Sequence, residues 1–158
     1  MIRVQREDFD VGQELDRLAG GDHSIGGVAS FVGLVRDIVG PGGGPKQISA
    51  LTLEHYPGMT ERKLAEIEAE ANRRWPLSAS LIIHRYGRLE PGDRIVLVAT
   101  ASPHREAALA ACHFLIDWLK TDAPFWKSEE TPQGERWVAA RSADDEATKR
   151  WKQSQTKA

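Results

Sequence analysis

Cysteine is almost missing from this chain of 158 residues: Cys112 is the only one. An internal disulfide and a cysteine-rich zinc site are thereby excluded, and stability has to come from packing. Long apolar runs are missing too, with nothing near the roughly 20 residues a membrane-spanning helix needs. The opening Met1-Ile2-Arg3-Val4-Gln5-Arg6-Glu7-Asp8 lacks the apolar stretch of a signal peptide, so a cytoplasmic setting with no membrane contact is expected. Neither sign of charge is in excess: 21 Lys and Arg against 23 Asp and Glu leave a formal net charge of -2. That excludes a globally basic nucleic-acid binder, while leaving room for a local basic pocket. What remains is the make-up of an ordinary globular protein, with 41% hydrophobic and 28% charged residues and no internal repeat. The length fits a single domain over residues 1–158.

Periodicity divides the chain into short elements. Val11, Leu15, Leu18 and Ala19 are spaced for a helix opened by Asp10, with Gln13 placed as in a capping box, and Gly20-Gly21 stops it. Gly26 to Val35 is apolar on both faces and reads as a strand buried on both sides or at an interface. The run Gly40 to Pro45 is too rich in Gly and Pro to pack, which predicts a flexible loop over about residues 37–47, long enough to act as a lid. Ile48 to His55 alternates as a strand. A helix with the stripe Leu64, Ile67, Ala71 and Trp75 follows, ended by Pro76.

Strands Ala79 to Tyr86 and Arg94 to Ala101 flank Glu90-Pro91-Gly92-Asp93, which has the Pro-Gly centre of a type II turn. Ser102-Pro103 reads as a cap and first-turn proline for a helix running to about Lys120, apolar round most of its circumference and hence central. A second hairpin, Phe125 to Glu129 and Arg136 to Ala140, precedes a last helix from Ser142 and a fraying tail over about residues 153–158. Strands joined by hairpins with interspersed helices make an α+β fold with a largely antiparallel sheet.

Residues able to carry chemistry are scattered: Arg36, His104, Arg105, Lys120, Lys127 and Arg141. Each has a plain structural reading. Arg36 suits a solvated strand end, and Lys120 suits the helix C-terminus that favours a cation. His104 and Arg105 fit less well, because cations at a helix N-terminus oppose its dipole at a cost of a few tenths of a kcal/mol. An anion bound there would reverse that balance. Lys127 lies in the aromatic-rich strand Phe125-Trp126-Lys127-Ser128-Glu129, with Trp126 and Lys127 on opposite faces. Convergence of Lys127 with Lys120 and arginines would lower its pKa and make a neutral amine available as base or nucleophile. Cys112 and His113 lack ligand partners at zinc-site spacing, and the Gly40 to Gly44 run lacks a P-loop ending, so no metal or nucleotide site is expected. The mixed charges Glu66, Glu68, Glu70, Arg73 and Arg74 make a solvated helix face.

Several ordered stretches carry a more specific signal. Phe31 to Arg36, Leu53-Glu54-His55-Tyr56-Pro57-Gly58-Met59, His84 to Asp93, Ser102-Pro103-His104-Arg105, Asp117 to Lys120, Pro124 to Glu129 and Gly134 to Val138 together resemble the family of the large, catalytic subunit of molybdopterin synthase. The resemblance spans roughly Gly26 to Arg141. It implies an α/β hammerhead with an added small antiparallel subdomain, and a sulfurtransferase acting on cyclic pyranopterin monophosphate. Sulfur would arrive as the C-terminal Gly-Gly thiocarboxylate of a small ubiquitin-like carrier subunit, and two large subunits would form a homodimer within a heterotetramer.

No cofactor is implied. Lys120 and Lys127 match the family's active-site lysines. Lys127 would do general acid/base work on the pterin and Lys120 would hold or attack the thiocarboxylate carbonyl, with the reverse division left open. Leu34, Val35, Arg36, His104, Arg105, Ser128, Glu129 and Arg141 would join them in binding substrate, Arg141 being a candidate to act across the dimer. The departures are a longer, Gly-rich loop at Gly40 to Pro45 and Glu106-Ala107 where an aromatic is common nearby. Two other classes remain as alternatives: a non-catalytic module binding a phosphate ligand or the carrier, and a purely structural assembly protein.

Overall fold

The computed structural model describes residues 1–39, 45–46, 50–132, 134–137 and 142–153. In chain order the elements are β1 (Ile2–Gln5), α1 (Val11–Ala19), β2 (Gly27–Leu34), β3 (Ile38–Val39), β4 (Pro45–Lys46), β5 (Ala50–His55) and α2 (Met59–Arg74). They continue with β6 (Ala79–Arg85), β7 (Gly87–Leu89), β8 (Arg94–Ser102), α3 (Arg105–Asp122), β9 (Phe125–Thr131), β10 (Gly134–Trp137) and α4 (Ser142–Gln153). The fold is mixed α+β. One sheet runs β1-β6-β8-β2, a second runs β10-β9-β5-β7, and β3 with β4 makes a short ladder. Pairing is antiparallel except between β1 and β6.

Period-two alternation along β6 and β8 builds two core layers. Ile82, Val96 and Val98 face Leu64, Ala108, Cys112 and Leu115 of α2 and α3, while Leu81, Ile83, Leu97 and Ala99 face Phe9, Val11, Leu15 and Leu18 on the α1 side. The first sheet is thus covered on both faces, and β8, buried from Val96 to Ser102, is its centre. Helix α4 is fastened to α3 by the Trp151 indole, which donates to Asp117 Oδ2 at 2.7 Å, and by edge contacts of Trp151 with Trp75 and Phe114. Burial pushes the Cys112 thiol up to about 11, so the lone cysteine is a neutral packing group. No helix among the described residues is long and apolar enough to cross a membrane.

Several sequence expectations hold locally. Asp10 caps α1 by accepting from the Gln13 backbone N–H at 2.9 Å. The turn at Glu90 closes with the Asp93 N–H donating to the Glu90 carbonyl at 2.9 Å, and Gly92 takes φ of 93° as a type II turn requires.

Three expectations need correction. Helix α3 opens at Arg105 with His104 as its N-cap, because Ser102 is still the last residue of β8; its oxygen accepts from the His104 backbone N–H at 3.3 Å while its hydroxyl donates to the Pro76 carbonyl at 2.9 Å. Its flank is also less covered than expected, with Leu109 exposed. The strand expected to continue to Tyr86 ends at Arg85, since Gly87 at φ of 90° redirects the chain and β7 joins β5 in the second sheet. That sheet change has no periodic signature. Strand β2 is an edge strand with Val28, Phe31 and Leu34 exposed, so of its two expected settings burial on both sides within one chain does not hold, and an interface is the one left. The expected lid over Gly40 to Gly44, the strand starts at 48–49, the hairpin end at 138–140 and the tail beyond Gln153 lie outside the described residues.

Two predictions follow from this packing. A Cβ on Gly26 would lie 2.0 Å from the Pro103 carbonyl oxygen, a backbone atom with little room to yield. Gly26→Ala is expected to cost about 1–3 kcal/mol, read as a lower urea midpoint; an unchanged midpoint contradicts the close approach. Burial lowers the His84 pKa from 6.5 to about 4, so between those values the unfolded chain binds a proton that the native state refuses. Stability should therefore fall as pH drops from 6.5 toward 4, and His84→Phe should flatten part of that fall. Equal acid dependence in both proteins would assign the effect to other groups.

Candidate active site

Helix α3 runs back along β8. The Thr100 hydroxyl donates to the Ala108 carbonyl at 2.6 Å, and one turn later Cys112 Sγ lies 4.0 Å from the Val98 carbonyl. As α3 advances, β8 is met progressively nearer its start. Lys120, near the end of α3, therefore stands at the Arg94 end of β8. Because Arg94 pairs with Leu34, the end of β2 and Arg36 just beyond it lie at that same end. His104 and Arg105 lie at the other end: Ser102 pairs with Gly27, and Gly27 sits directly against Arg105. Fifteen helical residues, about 22 Å at 1.5 Å per residue, separate Arg105 from Lys120. Within one chain, four of the cations expected to converge thus form two groups, Arg36 with Lys120 and His104 with Arg105.

The second sheet brings Lys127 to the Arg36 and Lys120 group. Lys127 pairs with Leu53 and Glu129 with Leu51, so these four side chains share one face. Leu51 and Leu53 pack with Leu89 and Val35 beneath the junction of the two sheets, and Ile95 belongs both to that cluster and to the main core that contains Leu119. Lys127 and Glu129 therefore project on the side where Val35 leads to Arg36. Lys127 is half-buried and Glu129 only 2% exposed. Ser128, expected in the same pocket, alternates to the opposite face, where it pairs with Thr52 and Trp137. Arg141 lies outside the described residues.

Electrostatics separates these cations from the others on the surface. Arg94 binds Asp8 through two contacts of 2.9 and 2.6 Å, and this hydrogen bonding holds the Asp8 carboxyl down to about 2. Arg88 is held by Glu90 and Glu130, and Arg74 by Glu70. Among the described residues no carboxylate neutralises Arg36, Arg105 or Lys120, all of which are exposed. Cations left without carboxylate partners suit an anionic ligand. An open cavity of about 470 Å³ at the Leu34 and Arg94 end is lined by those two residues with Asp8, Val11, Val32 and Asp93, so it includes Leu34 of the expected substrate-binding set. Its one cation is already paired with Asp8, so the unpaired cations mark the better candidate.

Sequence reasoning missed two contacts on the residues just before Lys127, that of Tyr56 with Trp126 and that of His84 with Phe125. The signal was present, since Tyr56 and His84 both belong to the stretches that carried the resemblance, but which residues they touch is a tertiary fact.

The comparisons with known proteins agree with this architecture. Residues 4–122 match the family model described as MoaE protein. The molybdopterin synthase catalytic subunit of Ralstonia nicotianae is 56% identical over 150 residues, covering 95% of this chain and 83% of that protein. That of Pseudomonas aeruginosa is 52% identical over 152 residues, covering 96% and 99%. Among solved structures, a molybdopterin biosynthesis MoaE protein from Burkholderia ambifaria superposes with a TM-score of 0.80 at 52% identity, covering 96% of this chain and 97% of that one. On a family model that takes in most of the sequence and on relatives about half identical along nearly its whole length, this chain belongs to the MoaE family.

Proposed function

We propose that this chain is the catalytic subunit of a molybdopterin synthase, an enzyme of molybdenum cofactor biosynthesis that transfers sulfur. The reading is carried by one observation: in a chain matched along nearly its full length by proteins of that name, Arg36, Lys120 and Lys127 come to one end of the molecule. The substrate is cyclic pyranopterin monophosphate, and the sulfur donor is the glycine thiocarboxylate of a small carrier subunit. Each transfer forms a C–S bond on the pterin side chain as a C–O bond there breaks, and hydrolysis of the carrier C–S bond by water leaves the carrier glycine as a carboxylate.

Lys127, half-buried beside Glu129, moves protons on the pterin, and Lys120 receives the thiocarboxylate carbonyl. Lysine suits both roles, being a cation that can also give up its proton. Arg36 offers a planar fork to the phosphate. Lys120 stands exposed at the end of α3, within reach of an extended tail brought by a separate subunit. A cytoplasmic setting belongs to the same proposal, consistent with a single cysteine kept as a free, buried thiol.

The distance of His104 and Arg105 from Lys120 has a solution in a dimer. Strand β2 is an apolar, exposed edge, the kind of surface that pairs with another strand. A twofold axis normal to the sheet would pair β2 with its own copy in antiparallel orientation. The start of one β2, with His104 and Arg105 beside it, then lies against the end of the other, where the partner subunit supplies Arg36, Lys120 and Lys127. Two equivalent sites result, each drawing cations from both chains. This arrangement also gives the exposed Phe31 and Leu34 a cover.

Two measurements test the proposal. Conversion of the pyranopterin with thiocarboxylated carrier should be abolished in a Lys120→Ala, Lys127→Ala double variant; wild-type turnover there would end the catalytic assignment. Mixing inactive Lys127→Ala subunits with inactive Arg105→Ala subunits should restore activity in mixed dimers, because one of their two sites then contains every native residue. Restoration absent despite confirmed subunit exchange would place both groups in one chain's site.

A further inference from the structure

The three residues before Lys127 are held by contacts from outside their own sheet strand. The Pro124 carbonyl accepts a hydrogen bond from the Thr60 hydroxyl at 3.2 Å, and Thr60, fully buried, also accepts from the Tyr56 backbone N–H at 3.1 Å. The Trp126 ring meets Tyr56 edge-on, with centroids 4.0 Å apart. The tightest contact falls on Phe125. Its ring lies almost flat on the His84 imidazole, with centroids 3.7 Å apart and planes 17° from parallel.

That stack joins the two sheets. His84 belongs to β6 of the first sheet and Phe125 to β9 of the second, two residues from Lys127 and on the same face of the strand. The imidazole is itself fixed: Nδ1 donates to the Arg85 carbonyl at 2.8 Å, which sets the tautomer and the plane of the ring. Burial keeps the ring neutral at ordinary pH, so it stacks on Phe125 as an uncharged aromatic. A side chain pinned by its own hydrogen bond is thus pressed against the residue that shares a strand face with the reacting amine. Nothing in the acid/base scheme uses His84 directly, and its ring contacts Phe125 rather than Lys127.

We propose that His84 is a positioning residue for Lys127, acting through the flat stack of its imidazole on Phe125. The inference rests on the reading of Lys127 as the acid/base group and extends it to the residue that aims it. A displacement near 1 Å at a reacting group can cost on the order of 100-fold in rate, so the stack need only fix β9 by that much to matter.

Two substitutions separate the ring from its hydrogen bond. His84→Asn keeps an N–H donor for the Arg85 carbonyl and loses the ring; it should lower kcat roughly 10- to 100-fold, with KM for pterin and carrier within about twofold of wild type. His84→Phe keeps the ring and loses the donor, and should recover most of kcat. Independently of turnover, the pH dependence of Lys127 labelling by an amine-reactive reagent, followed by peptide mass spectrometry, should shift in His84→Asn and coincide with wild type in His84→Phe. Should His84→Asn fail to fold, Phe125→Leu removes the stack from the other side and should shift the labelling profile in the same way.

Unchanged kcat in folded His84→Asn, losses in both His84 variants that merely track their thermal midpoints, or an unshifted labelling profile would overturn the proposal. Full activity in Lys127→Ala would instead overturn the acid/base reading, while the labelling shift would still report the coupling of His84 to Lys127.

Discussion

The packing of α3 lengthwise across β8 is the contact from which the rest of the architecture follows. Val96 to Ser102 are buried without a break, β6 and β2 pair on either side of them, and Ala108, Cys112 and Leu115 lie over them. Burying a residue such as Leu115 contributes roughly 1.5–3 kcal/mol. The Thr100 hydroxyl bonded to the Ala108 carbonyl adds direction that apolar contacts lack, tying the position of the helix to the strand. A one-residue slip of β8 would exchange its two core faces, so its register is strongly constrained. With that register set, the ends of α3 are set, and so are the locations of His104, Arg105 and Lys120.

A second constraint is the seam between the sheets. Gly87 turns the chain out of the first sheet into the second, Val35 and Ile95 pack into the second sheet's core, and His84 meets Phe125 across the boundary. The seam is where Lys127 comes toward Arg36 and Lys120. Most surface arginines nearby are already satisfied by carboxylates, as Arg94 is by Asp8, which leaves the exposed cations at the two ends of β2 as the unbalanced charge. The near-neutral net charge of the chain therefore conceals an uneven distribution.

Much of the local structure was legible because its causes are local. The Asp10 cap, the Pro91-Gly92 turn and the inner stripe of α2 depend on residues within a few positions of one another. The start of α3 was misread because Ser102 and Pro103 have the pattern of a cap and a first-turn proline. The Ser102 oxygen does accept from the His104 backbone N–H, but Ser102 is held in β8, where its hydroxyl donates to Pro76, a partner 26 residues away. The strand reading ended at Tyr86, within one residue of β6, but β7 was missed for a similar reason: Gly87–Leu89 is too short to show a period, and only its pairing with β5 makes it a strand. Ser128 was grouped with Lys127 by adjacency, whereas strand alternation turns it to the other face.

By itself the sequence determined the class of fold, the family, and the chemical types present: arginines, lysines and a single cysteine. These are properties of side chains and short spacings. Tertiary structure alone decided that Lys120 and Lys127 reach the same end of the molecule, that His104 and Arg105 lie a helix length away, and that His84 seats the strand carrying Lys127. Those facts depend on sheet order, on the direction in which α3 crosses β8, and on contacts between residues far apart in the chain, none of which local periodicity encodes.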